Sequence, residues 1–166
     1  VNAQTSFQQA LAAETKSPDY HYHYARTLIA LEDYLNAISV ARQAISLAPQ
    51  HRKATLLLAK ALFITRNWSE AEEIYRKVLS IDATDSEAIS GLGQVLFEQG
   101  LYEKAIEHLE GLTVFTHTSL FYLGKAYAHL NKFGESISTY QRAITQFGAD
   151  ADLCYALCCV YAQLER

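Results

Sequence analysis

One pattern of apolar and small residues returns along this chain every 34 residues, and a repeat of that length restricts the fold more than any bulk property does. Ala37-Ile38 with Ala41, Ala44-Ile45 and Leu47 recurs as Ala71 with Tyr75, Val78-Leu79 and Ile81, then as Ala105-Ile106 with Leu109 and Leu112. Ahead of each lies a second set: Tyr24-Ala25 with Leu28, Leu58-Ala59 with Leu62, and Leu92-Gly93 with Leu96. A fourth copy reads Leu123-Gly124 with Tyr127, then Ser136-Ile137 with Tyr140 and Ala143-Ile144. Within each copy the apolar positions fall at i, i+3, i+4 and i+7, the period of a helix. Two helices per copy follow. The scarcity of breakers, 2 Pro and 7 Gly in 166 residues, agrees with an all-helical chain.

Small residues hold fixed places in this pattern. Ala25, Ala59, Gly93 and Gly124 share one position in the first helix; Ala37, Ala71, Ala105 and Ser136 share one in the second. Helix axes approach to about 8–10 Å where the crossing side chains are small, so each copy is expected to be an antiparallel pair. The turns are Glu32-Asp33, Arg66-Asn67, Gly100-Leu101 and Asn131-Lys132. Three of them contain an Asn or Gly, which tolerates the left-handed conformation that ends a helix. An aromatic then opens each second helix: Tyr34, Trp68, Tyr102 and Phe133.

This pattern resembles the tetratricopeptide repeat, whose signature runs Trp-x2-Leu-Gly-x2-Tyr, then Ala-x3-Phe, then Pro. The third copy matches the first part as Ile89, Leu92-Gly93, Leu96, and the fourth as Leu120, Leu123-Gly124, Tyr127. The second copy matches the middle as Ala71, Tyr75, and the first ends in Pro49. No copy has Trp at the first site, and one alone keeps the Pro. The resemblance implies an all-α, right-handed superhelical solenoid of antiparallel helix pairs. Its repeats are 18–51, 52–85, 86–116 and 117–150, the third shortened by three residues around Gly111 to Thr118. Val114 and Phe115, in that shortened piece, either plug the joint or stand exposed for a partner.

Both ends read as parts of further repeats. Residues 151–166 look like a first helix without its mate, with Leu157-Cys158 and Tyr161 on the expected positions. Residues 1–17, with Ser6-Phe7, Ala10 and Ala13, resemble the second helix of a preceding repeat or a cap. With no Met at position 1 or elsewhere, the chain is expected to be a segment of a longer array. Its last helix is too apolar all round for a solvated cap. Docking of that helix on another molecule, or self-association through the terminal helices, would answer this.

In the tetratricopeptide family the first helices line a concave groove that receives a partner. Carried over by position, the candidate groove residues are Tyr22, Arg26, Leu56, Lys60, Phe63, Gln94, Phe97, Phe121, Tyr122, Lys125 and Tyr155. The ninth position of the four repeats is Arg26, Lys60, Gln94 and Lys125, a mostly cationic row in a chain of net charge −4. Aromatics beside cations have the composition of binding hot spots. The alternative is that these cations only solubilise the inner face while the aromatics touch neighbouring helices. One family subtype captures chaperone C-termini with a carboxylate clamp. Its positions here hold Tyr22, Arg26, Leu57, Glu87 and Gly91 or, one repeat on, Leu56, Lys60, Gly91, Thr118 and Tyr122. Neither set matches, which argues against a heat-shock co-chaperone.

Other classes find little support. A chain with 14 Lys+Arg against 18 Asp+Glu lacks the basic footprint of a nucleic-acid binder. No apolar run approaches a membrane span, and Val1 to Leu11 is too polar for a signal peptide. Six scattered His and three clustered Cys (Cys154, Cys158, Cys159) give neither a metal-ligand spacing nor a disulfide framework. Buried, reduced thiols are expected, which favours a cytoplasmic setting. Phosphate loops and nucleophile elbows are absent, so neither cofactor nor catalysis is expected. The expected function is a non-catalytic scaffold that binds a peptide or helix of another protein. The alternatives are a structural spacer or self-association module, and the targeting domain of a larger enzyme.

Overall fold

The computed structural model describes residues 17–164; the helix expected over Ser6 to Ala13 lies outside them. Among the described residues there are nine helices and no strand. The chain divides into two compact units, Val1–Ile81 and Asp82–Arg166. The first contains α1 (Pro18–Ala30), α2 (Tyr34–Leu47), α3 (Arg52–Ile64) and α4 (Trp68–Ile81). The second contains α5 (Ser86–Glu98), α6 (Tyr102–Glu110), α7 (His117–His129), α8 (Phe133–Phe147) and α9 (Ala151–Leu164).

Within each unit consecutive helices fold back on one another across short connections. First helices also touch: α1 meets α3 in the first unit, and α7 meets both α5 and α9 in the second. The four turns inside pairs share one hydrogen-bonded form. The amides of Asp33, Asn67, Leu101 and Lys132 donate to the carbonyls of Leu28, Leu62, Leu96 and Tyr127, each at 2.9 Å. These are the six-residue closures of the Schellman motif, which satisfy carbonyls that a helix end leaves orphaned. The left-handed residue is always the first of the two turn residues: Glu32, Arg66, Gly100 and Asn131. This corrects the sequence expectation at the second turn. Arg66 takes the positive φ and Asn67 does not, because the motif assigns that conformation by place rather than by residue type.

The recurring small residues lie at the crossings. Ala25, Ala59, Ala37, Ala71, Ala105 and Ser136 have no exposed surface. Where the first-helix residue is Gly, its partner is large. A Cβ added to Gly93 would stand 2.5 Å from Leu109 Cγ, and one added to Gly124 would stand 2.5 Å from Tyr140 Cε1. In the first pair the corresponding residues are Ala25 and Ala41, both buried. Ser136 replaces the second-helix alanine without leaving an orphaned hydroxyl, since its Oγ donates to the Gly124 carbonyl at 2.8 Å. Each fully buried side chain of this size contributes about 1.5–3 kcal/mol.

The deletion in the third copy shortens its second helix. α6 has nine residues against 14 in α2. Val114 is 68% exposed and does not plug the joint. Phe115 is half-buried, with the Arg142 guanidinium 4.2 Å from its ring centroid. Leu112 is the residue that turns into the core there. Thr116 and Ser119 then start α7 through reciprocal capping hydrogen bonds.

α9 packs against α8 and α7 through Leu153 and Val160, both buried. Tyr155, Tyr161 and Leu164 on the same helix are exposed. Cys154 and Cys158 are exposed and Cys159 is half-buried. The expectation of buried thiols is therefore wrong. Leu153 and Val160 face α7 and α8, and these two cysteines, one turn apart, do not lie on that face.

Candidate functional site

In the first unit the candidate residues stand on α1 and α3. Tyr22 and Arg26 lie one helical turn apart on α1, with the guanidinium carbon 5.9 Å from the ring centroid. Tyr22 also meets the ring of His51 at 5.5 Å. The imidazole of His51 caps α3: its Nδ1 accepts from the Ala54 amide at 3.1 Å. That leaves Nε2–H to donate to Asp19 Oδ1 at 3.0 Å, and the ring beside Tyr22 is fixed from both ends. On α3, Lys60 is exposed and Phe63 half-buried. Leu56 is only 3% exposed, so it belongs to the core and lies behind the face rather than on it.

In the second unit the candidates gather on α5, α7 and α9. Phe97 is 6% exposed and, like Leu56, is a core residue with little surface to offer a partner. Around it the rings of Tyr102, Tyr122 and His129 each stand at 5.4 Å. Tyr102 and His129 stack at 4.5 Å with 12° between planes. The Lys125 ammonium rests on this cluster, 4.6 Å from the Phe97 centroid and 5.4 Å from those of Phe121 and Tyr122. Burial, reinforced by the Glu98 carboxylate, pushes the Tyr122 phenol up to about 12. It therefore stays a neutral hydrogen-bond donor at physiological pH. Gln94 turns back along its own helix and donates to the Ser90 carbonyl and hydroxyl at 3.2 and 3.3 Å. It adds no charge to the row.

Beyond this cluster a cavity of about 300 Å³ opens between α7 and α9. Phe121, Lys125, Ala128 and His129 form one wall; Tyr155, Ala156 and Cys159 form the other; Tyr140 closes the back. Tyr155 is 73% exposed at the rim. Its phenol is pushed up mainly by a hydrogen bond with Cys159.

Two cations on second helices are held in ion pairs. Arg42 on α2 pairs with Glu70 on α4 at 2.6 Å, and Arg76 with Glu72 at 2.8 Å. Arg26, Lys60 and Lys125, on first helices, have no carboxylate within 4 Å among the described residues. Sequence reasoning missed His51, His129 and Tyr102. The first two follow from spacing: His129 lies four residues after Lys125 on the same face, and His51 precedes α3 where an N-cap belongs. Tyr102 is legible in the sequence only as the aromatic that opens α6, and its stacking partner requires the tertiary structure. Among the described residues no group of three or more His, Cys, Asp or Glu is disposed to hold a metal ion. No helix there is long and apolar enough to cross a membrane.

The chain is similar to known proteins in family and fold. The family model described as "Anaphase-promoting complex, cyclosome, subunit 3" matches twice, over residues 2–78 and 65–143. A curated relative, anaphase-promoting complex subunit 6 of Arabidopsis thaliana, is 26% identical over 153 residues. That alignment covers 87% of this chain and 28% of the relative, so the chain spans well under a third of that protein's length. PilF of Pseudomonas aeruginosa superposes with a TM-score of 0.79 at 18% identity, covering 92% of this chain and 72% of that one. YrrB, a tetratricopeptide protein with an unusual peptide-binding site, superposes with a TM-score of 0.70 at 19% identity, covering 96% and 84%. At such identities the solved structures establish the fold alone: helix pairs in a tetratricopeptide-type array.

Proposed function

The chain belongs to the anaphase-promoting complex, cyclosome, subunit 3 family, a family of tetratricopeptide type, and from that membership we propose that it holds partner proteins on the face made by its first helices. Proteins of this fold mediate protein–protein interaction, and those of this family type are in general non-catalytic scaffolds. The finer reading is that a peptide or helix of a partner lies along α1 and α3 in one unit and along α5, α7 and α9 in the other. Repeats 18–51, 52–85, 86–116 and 117–150 are the units of this scaffold. The similarity to a subunit of the anaphase-promoting complex supports a place inside a multi-subunit assembly, and with it an intracellular setting.

One observation carries the reading: Arg26, Lys60 and Lys125 lack carboxylate partners among the described residues, and Arg26 and Lys125 stand beside aromatic rings. Cations held in this way steer an acidic partner, while apolar burial supplies most of the affinity. Charge reversal at Arg26 and Lys60 tests this in the full-length protein. Association with its assembly should weaken and its salt dependence should flatten. Unchanged affinity in both variants overturns the reading.

A second reading, self-association through the terminal helix, is supported by the exposed Tyr155, Tyr161 and Leu164 on α9. Light scattering over a wide concentration range tests it, and a constant monomer mass rejects it.

A further inference from the structure

The cavity between α7 and α9 has two kinds of wall. Phe121, Ala128, Tyr140 and Ala156 are apolar, and its volume of about 300 Å³ leaves room for one large apolar side chain. The charged groups at its edge are Lys125 and Asp152, and they differ in how their charge is met. Asp152 is exposed in the first turn of α9, where the free amides of the helix favour a negative side chain. Lys125 has the ring faces of Phe97, Phe121 and Tyr122 around it, and the Glu98 carboxylate on that side is taken up by Tyr122. Rings attract an ammonium weakly, strip part of its water and do not neutralise it. Lys125 is therefore a cation without a direct ion-pair partner among the described residues, held in place beside an apolar hole. His129, four residues on, is stacked on Tyr102, which fixes the same wall.

We infer that this cavity is an anchor site for an acidic peptide segment: one large apolar side chain enters between α7 and α9, and a neighbouring carboxylate of the same segment pairs with Lys125. The inference rests on the first-helix face being the partner surface and names what that face takes in the second unit. The carboxylate replaces the water that Lys125 has lost, and the side chain displaces water from Phe121, Ala156 and Tyr140. An apolar segment without the acid leaves the ammonium uncompensated. A basic segment brings like charges together.

Cys159 lines the cavity and supplies a readout. In the full-length protein carrying Cys154→Ser and Cys158→Ser, the rate at which a small maleimide modifies Cys159 reports access to the cavity. The probes are capped heptapeptides with a central Trp or Leu flanked by Glu. The same peptides flanked by Lys, and Glu peptides with a central Gly, are the controls. The Glu-flanked Trp or Leu peptides should slow modification in a saturable way, with apparent affinity at least tenfold above either control. Lys125→Gln should weaken them about tenfold. Ala156→Phe, which fills an open cavity and spares the core, should abolish protection.

Equal protection by Lys-flanked and Glu-flanked peptides, or affinity unchanged in Lys125→Gln, overturns the inference. Absence of protection by any peptide overturns it too. If association with the assembly still depends on Arg26 and Lys60 in that case, the anchor site fails and the broader reading stands. If that dependence is also missing, both fail.

Discussion

At the residue scale, two glycines act through volume and one through backbone conformation, and the three should respond differently to alanine. Gly93→Ala drives a methyl into Leu109, a buried residue with nowhere to go. Overpacking of this kind costs about 1–3 kcal/mol, offset by about 1 kcal/mol of better helix propensity, so a net loss of up to about 2 kcal/mol is expected. Gly124→Ala should behave alike against Tyr140. Adding Leu109→Ala to Gly93→Ala recreates the Ala25/Ala41 arrangement of the first pair, so the double variant should lose less than the sum of the single losses. Gly100 has nothing within 4 Å of its Cβ position and a φ of +78°. Its alanine variant should lose about 1 kcal/mol through the backbone alone. Gly134→Ala, in open space at negative φ, is the control and should gain about 0.5 kcal/mol. Urea midpoints measure all of these. A gain in Gly93→Ala equal to that of Gly134→Ala would contradict the volume argument.

At the scale of the element, helix starts show how a joint can depend on pH. Asp150 caps α9 by accepting from the Leu153 amide at 2.8 Å and pairs with His117, the first residue of α7, at 2.5 Å. That amide bond first, and His117 second, hold its carboxyl below the usual carboxylate range. A depressed pKa means that Asp150 stabilises the fold at and above the ordinary carboxylate pKa. The contribution then disappears as pH falls through the lowered value. Melting of α9 followed between pH 2 and pH 5 should therefore be acid-sensitive in the parent and flatter in Asp150→Asn. An equal slope in both would remove Asp150 from the joint.

Much of this level was legible in the sequence. The aromatics Tyr34, Trp68, Tyr102 and Phe133 stand at the first residue of their helices, because helix period and short turns leave little choice of boundary. The depth of a side chain was less legible. Leu56 and Phe97 occupy the same kind of position as Tyr22 and Phe121 but are buried, since how far a first helix is covered depends on its neighbours. Cys154 and Cys158 illustrate the converse: small apolar residues that lie off the face of α9 on which Leu153 and Val160 are buried.

At the scale of the whole molecule, one row of cations recurs at a fixed place in the repeats. Arg42 and Arg76 are spent on intramolecular pairs, whereas Arg26, Lys60 and Lys125 on first helices have no such pairs among the described residues. A net charge of −4 conceals this row, which ordered repeats make visible by returning the same position once in each copy. The groove residues were found by that counting and by family resemblance; the His129–Tyr102 stack needed coordinates. Site-specific photocrosslinking tests the central claim most directly. A benzophenone side chain is placed at position 60 or 121 on first helices, and at position 76 or 141 on second helices, in the full-length protein within its assembly. The account predicts crosslinks to a defined partner from 60 and 121 and few from 76 and 141. Crosslinks arising chiefly from 76 and 141 would contradict it.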